Sequence, residues 1–244
     1  MEILQAFKYT RKDTLIDRLD PRTKFIISTS LTLTSLLCFS ITIQTILLLI
    51  TLLLVFVSKR MIQWIKSLKG LTVLVALIFI LNLISMPGFD VLYSSIMALR
   101  FLVITASFSL FFLTTTPDDL AAALEEIKVP REYSLLFTLS FRFVPTLASD
   151  VEIISDALKS RGFELEKGGF IQRIKNYAYL LIPLIVYEIR RSLMIAEALE
   201  ARAFGATKKP TRITKLDMSI YDYTLIIIFL VIPLILYHIA SIYP

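Results

Sequence analysis

Two octapeptides 41 residues apart carry the most specific chemistry in this sequence. The first reads Asp156-Ala157-Leu158-Lys159-Ser160-Arg161-Gly162-Phe163, and the second reads Glu197-Ala198-Leu199-Glu200-Ala201-Arg202-Ala203-Phe204. Both follow one pattern: acid, Ala, Leu, any residue, small, Arg, small, Phe. Small residues on both sides of an arginine let a helix end approach another surface closely. The guanidinium then offers a rigid fork to a carboxylate or to backbone carbonyls. Two copies suggest two equivalent receptors, as a pair of related partner subunits would supply. The plainer reading is that each arginine neutralises the negative end of a helix dipole, with small neighbours there for packing.

Other reactive residue types are scattered. Asp118-Asp119 and Glu125-Glu126 read as helix-start and solvated-face acids rather than a catalytic pair. The single histidine, His238, sits in an apolar run, where an isolated ring is a packed or interfacial residue. One cysteine, Cys38, allows no disulfide within the chain and no metal-ligand spacing. The sequence has no G-x-x-x-x-G-K-[ST] phosphate loop. No metal or cofactor is expected on this chain.

The elements that must position the two arginines are read from hydropathy and charge. The 244 residues are 56% hydrophobic and only 19% charged, where a soluble domain carries about a quarter charged. Residues 25–58 form a run of 34 without a formal charge, 71–89 are uncharged, and from 223 onward only His238 can carry a proton. Such runs match the roughly 20 apolar residues that cross a bilayer core. They show none of the alternation of a β-barrel strand. The fold class expected is all-α: a polytopic membrane protein with about five transmembrane helices.

Residues 25–57 would run about 50 Å as one helix, so a hairpin of two short helices turning near residues 39–42 fits better. Further spans are expected at 71–85, at 91–115 and from about 223. A Met86-Pro87-Gly88 turn separates the middle two. Residues 1–24 are charged in both signs without an A-x-A site and do not read as a signal peptide. With the N-terminus cytoplasmic, the interior segments 1–24, 58–69 and 117–222 hold 25 of the 26 Lys and Arg residues. This satisfies the positive-inside rule and places the C-terminus outside. The net charge of +6 is therefore a topology signal, and no nucleic-acid partner is expected. The remaining base, Arg100, falls within a span near its outer end and is expected to snorkel to the interface, although a charge within a span is also a candidate functional site.

We read one domain over 1–244, comprising N-terminal membrane helices (1–116), a cytoplasmic helical segment (117–220) and a last membrane helix (221–244). Thr116, Pro117 and the two following acids form a helix start. That helix is expected to end before Pro130. Pro145 is expected to break or kink the next apolar stretch, and a helix then runs to Arg161 with Gly162 as its cap. Lys167-Gly168-Gly169 reads as a joint. A final helix runs from 170 to 202, kinked at Pro183. Asp20, Pro21 and Arg22 precede the first span as a helix cap and topology signal. Arg142, before Pro145, either ties the long helices together through a carboxylate or anchors at the interface.

Over nearly its whole length the sequence resembles the T component of energy-coupling factor (ECF) transporters, the EcfT/CbiQ/BioN family. The resemblance rests on Leu19-Asp20-Pro21-Arg22-Thr23-Lys24, on Thr115-Thr116-Pro117 with Leu120 and Leu124, on Arg142-Phe143-Val144-Pro145, and on the signatures Ser160-Arg161-Gly162 and Ala201-Arg202-Ala203. The second signature has Ala where the family usually has Gly. The resemblance implies a plasma-membrane scaffold that imports a vitamin or transition-metal ion together with two cytoplasmic ABC-type ATPases and a substrate-binding (S component) membrane subunit. ATP and Mg would be bound by the ATPases. Each arginine end would sit in a groove of one ATPase. We further expect an apolar docking surface for the substrate-binding subunit around Pro183, with Ala178, Leu181, Leu184 and Ile185. A stand-alone secondary transporter or channel is the alternative, but it would need charges lining a mid-membrane path. A membrane enzyme would need a clustered constellation that the sequence lacks.

Overall fold

The computed structural model describes residues 14, 16–85, 90–163, 167–206, 216 and 218–242. Among these residues all regular structure is helical: α1 (Pro21–Leu37), α2 (Ile41–Val57), α3 (Met61–Lys69), α4 (Thr72–Ser85), α5 (Val91–Thr114), α6 (Pro117–Glu126), α7 (Arg131–Ser160), α8 (Phe170–Ala201) and α9 (Ile220–Ile242). The all-α expectation holds. The Met86-Pro87-Gly88 turn lies outside the described residues.

The chain forms two compact units. Met1–Ser134 with Leu216–Pro244 make the first, and Leu135–Lys215 make the second. In the first unit α5 is central and packs against α1, α2, α3 and α4, while α9 packs on α1. Ile27, Leu31, Ile43, Leu47, Val103 and Phe229 form one core cluster, and Val55, Trp64, Ala106 and Leu110 form another. The buried side of α1 is rich in small polar residues, including Ser28, Ser30, Thr34 and Ser35. Small side chains let helices approach closely in an apolar bundle. Several return their hydroxyls to a nearby carbonyl, as Thr34 does to Ser30 at 2.7 Å. Ser30 instead donates to the carbonyl of Phe229 in α9.

The hairpin turn falls at residues 38–40, close to the expected place, although it contains no Gly or Pro. Two side chains replace what those residues would supply. Gln44 donates its amide to the carbonyls of Ser35 (2.8 Å) and Cys38 (2.9 Å). Arg100 of α5 donates to Ser35 (3.0 Å), Leu36 (3.0 Å) and Cys38 (3.2 Å), with its guanidinium 4.1 Å from the Phe39 ring centroid. The last carbonyls of a helix lack intrahelical partners, and Arg100 satisfies three of them at α1 and its turn. It therefore caps a neighbouring helix rather than reaching out alone to an interface.

At the opposite end of the same helices the chain is tied by buried charge. Arg60 pairs with both carboxylate oxygens of Asp17 at 3.1 Å and also donates to the Leu113 carbonyl. Lys24 donates to the carbonyls of Asp17 (3.2 Å) and Thr114 (2.9 Å). Burial pushes the Asp17 carboxyl up, but hydrogen bonds from Arg60 and Thr14, with the Arg60 charge, outweigh it and leave the group below its ordinary value.

Among the described residues α5 is long and apolar enough by itself to cross a membrane, α3 with α4 passes the same test as a pair bent by 50°, and α2 and the Ile220–Pro233 part of α9 are shorter apolar helices. Large apolar residues face outward on α2 and α4, with Phe56 71% and Val73 78% exposed.

Thr116 and Asp119 form the capping box of α6, with Pro117 in its first turn. The break expected at Pro145 does not occur, and α7 is one 30-residue helix running through it. Proline removes one backbone hydrogen bond, and the 14 residues on one side and 15 on the other keep the helix continuous across that loss. Pro183 lies inside the continuous α8 in the same way.

Candidate coupling site

The second unit is built from α8 and the part of α7 beyond Ser134. Both helices end in the same hydrogen-bonded turn. At α7, Gly162 N–H donates to the Lys159 carbonyl (2.9 Å) and Phe163 N–H to the Leu158 carbonyl (3.0 Å). At α8, Ala203 N–H donates to Glu200 (2.8 Å) and Phe204 N–H to Leu199 (3.0 Å). This is the Schellman arrangement, in which the residue after the cap turns left-handed and satisfies the final carbonyls. Gly162 has φ +80° and Ala203 has φ +61°. The octapeptide repeat is therefore a repeat of structure. Gly162 supplies its cap as expected. At α8 the corresponding role belongs to Ala203.

In this turn Arg161 and Arg202 are the cap residues themselves. Both are exposed, as are the neighbouring Ser160, Ala201, Gly162 and Ala203. Neither arginine forms an ion pair among the described residues. The nearby cation Lys159 pairs with Asp156 at 3.1 Å on the exposed surface. Each helix thus presents an arginine at its tip, flanked by side chains too small to obstruct a close partner.

The link that joins the two helices was not identified from sequence. Arg191 of α8 pairs with Asp150 of α7 and, at 2.9 Å, with Glu188, and it donates to the Tyr187 hydroxyl at 3.2 Å. Asp150 precedes Arg161 by 11 residues, and Arg191 precedes Arg202 by the same 11. The ion pair therefore connects equivalent positions of the repeat, each about 16 Å along its helix from the arginine tip at about 1.5 Å per residue. The 41-residue offset was the available signal, extended upstream of the octapeptides. The hydrogen bond from Arg191 holds the Asp150 carboxyl below its ordinary value, and Asp150 in turn raises the pKa of Arg191. Phe163, just past the α7 tip, packs edge-on against Tyr179 of α8 with centroids 5.4 Å apart. The joint before α8 is tied as well, with Asn176 donating to the Lys167 carbonyl at 3.1 Å.

The other expected residues fall into separate roles. Arg142 is exposed and makes no ion pair among the described residues; Asp150–Arg191 is the tie instead. Pro145 is exposed within α7. Asp20 caps α1 by accepting from Arg22 N–H at 2.9 Å, Pro21 occupies the first turn, and the Arg22 guanidinium binds Asp20 at 3.0 Å through two nitrogens. Asp20 N–H also donates to Asp222 at the start of α9 (3.0 Å), so this motif fastens the first helix to the last. Ala178, Leu181 and Ile185 are exposed on α8, whereas Leu184 is buried and faces inward. His238 is exposed on α9. Among the described residues no three His, Cys, Asp or Glu side chains converge as metal ligands would.

Fold and site together define an all-helical protein with an apolar bundle and a pair of arginine-tipped helices. Residues 12–213 match the family model CbiQ, described as cobalt transport protein. The energy-coupling factor transporter transmembrane protein EcfT of Clostridium kluyveri is 31% identical over 240 residues, covering 88% of this chain and 89% of that protein. The protein of the same name from Streptococcus thermophilus is 30% identical over 264 residues, covering 99% and 100%. That from Streptococcus equi subsp. equi is 29% identical over 266 residues, covering 99% and 98%. The chain belongs to this family, the transmembrane components of energy-coupling factor transporters, and is a non-catalytic membrane transport subunit.

Proposed function

We propose that this chain is the scaffold that couples two cytoplasmic ABC-type ATPases to a substrate-binding membrane subunit in an importer of a vitamin or transition-metal ion. The observation that carries this reading is the pair of equivalent helix ends, each exposing an arginine without an ion-pair partner among the described residues. Two equal tips on one chain suit two copies or relatives of one receptor. A planar guanidinium flanked by small residues suits a closed groove lined with carboxylates or carbonyls. The ATPases bind ATP and Mg and perform the hydrolysis. The scaffold carries their motion through α7 and α8 to the subunit that holds the nutrient.

Five spans would then be α1, α2, α4, α5 and α9, in the plasma membrane, with α3 on the cytoplasmic side, the N-terminus cytoplasmic and the C-terminus outside. This places both arginine tips on the ATPase side. The exposed Ala178, Leu181 and Ile185 offer an apolar surface to the substrate-binding subunit.

Detergent co-purification with the two ATPases tests the reading. Wild type retains both, and Arg161→Glu/Arg202→Glu loses both while eluting as a folded protein. Undiminished ATPase binding and nutrient uptake in the double variant would leave the arginines as ordinary helix-end residues and remove the mechanism.

A further inference from the structure

Helix α3 is held by one face and leaves the other open. Met61, Trp64 and Leu68 pack with Val55, Ala106 and Leu110, and the Trp64 indole N–H donates to the Ala106 carbonyl of α5 at 3.3 Å. Ile62, Ile65, Lys66 and Lys69 are spaced i, i+3, i+4 and i+7, which puts them on one stripe away from that contact. Ile62 is 73% and Ile65 52% exposed, and both lysines are exposed. No Asp or Glu occurs between Asp20 and Asp90. Neither Lys66 nor Lys69 forms an ion pair among the described residues. The helix bends by 50° from α4, whose own outward residues are apolar. Beside α3 lies a cleft of about 310 Å³ lined by Phe56, Lys59, Arg60, Met61, Ile62 and Gln63.

We propose that α3 is an interfacial anchor that binds anionic phospholipid. Ile62 and Ile65 enter the acyl boundary, Lys66 and Lys69 meet the phosphates, and the cleft beside Lys59 receives a headgroup. On that one stripe the isoleucines suit the apolar layer, while each lysine stem lies along it and carries its ammonium up to the anionic phosphates. Continuity with the apolar outer face of α4 favours the bilayer over an acidic protein surface. The inference rests on the membrane placement of this family, and not on the ATPase or substrate-binding partners.

Trp64 is the only tryptophan in the chain, so its fluorescence reports on α3 directly. The full chain is reconstituted into bilayers containing either brominated phosphatidylglycerol or brominated phosphatidylcholine. We expect phosphatidylglycerol to quench Trp64 at lower mole fraction, with each lysine contributing about five-fold to the preference. Lys66→Gln/Lys69→Gln removes the preference, Lys66→Arg/Lys69→Arg keeps it, and added salt weakens it. Equal quenching by the two lipids in wild type would overturn the proposal, as would a preference that survives in the glutamine variant. Loss of a co-purifying subunit in that variant, without lipid preference in wild type, would assign the stripe to a protein contact instead. The Arg161 and Arg202 experiment does not touch α3, so either idea can fail alone.

Discussion

The tips of α7 and α8 share one hydrogen-bonded turn, one arginine and one following phenylalanine, yet they differ at the left-handed position. Gly162 adopts φ +80° freely, and beyond its own chain neighbours no heavy atom lies within 4 Å of where a Cβ would sit. Ala203 adopts φ +61° against a steric cost of about 1–2 kcal/mol for a residue with a Cβ. The turn survives that cost because its two hydrogen bonds satisfy carbonyls that would otherwise lack partners. The comparison separates what the site requires, a capped helix with an arginine at its end, from what it tolerates, a methyl group beside that arginine.

The sharpest test of equivalence is charge reversal at one tip at a time. Arg161→Glu and Arg202→Glu should each lower ATPase retention on co-purification by about 30-fold or more, the loss typical of a buried anchor, while the double variant retains neither ATPase. Full loss from one single variant and none from the other would break the equivalence.

A smaller effect is expected at the shared tie. Asp150→Asn removes the charge that Arg191 faces while keeping shape. It should broaden the distribution of distances between spin labels at positions 160 and 201, measured with Cys38 replaced. An unchanged distribution would mean that the Asp150–Arg191 pair does not set the spacing of the tips. Acid should act on the same pair. Because the Asp150 carboxyl is held below its ordinary value, its contribution is complete above about pH 4 and declines as pH falls through the lowered value. The same label distances should therefore broaden in acid in wild type and respond less in Asp150→Asn.

The smallest effects distinguish the two caps. Gly162→Ala should destabilise the α7 end by about 1 kcal/mol, and Ala203→Gly should stabilise the α8 end by a similar or smaller amount. Amide exchange at Phe163 and Phe204 reads each change separately. Shifts of the same sign would show that the two turns do not share one geometry.

Much of the fold was legible because it follows from composition and local rules. The helix start at Thr116-Pro117-Asp118-Asp119 follows from four consecutive residues. The hairpin in residues 25–57 follows from length and from the positive charge of 58–69. The paired tips follow from a repeat of short-range pattern. Other features were hidden for the opposite reason. Pro145 reads locally as a break, yet the helix continues through it. Arg100 reads locally as a lone charge in an apolar span, yet its partners are carbonyls 62 to 65 residues away. Arg142 lies three residues before Pro145 and reads as a tie between the long helices, yet the carboxylate partner in α7 is bound by Arg191 of α8.

The sequence alone determined the helical class, the apolar stretches, the asymmetric placement of 25 basic residues and the doubled arginine signature. Hydropathy, charge and helix capping depend on neighbours within a few turns, and these can be read along a chain. Tertiary structure decided which of 20 acids meets which of 26 bases, that Arg100 and Gln44 close a turn lacking Gly and Pro, and that Leu184 faces inward beside the exposed Leu181 and Ile185. Those outcomes depend on packing between helices distant in sequence, where several pairings satisfy the same local pattern and burial selects among them.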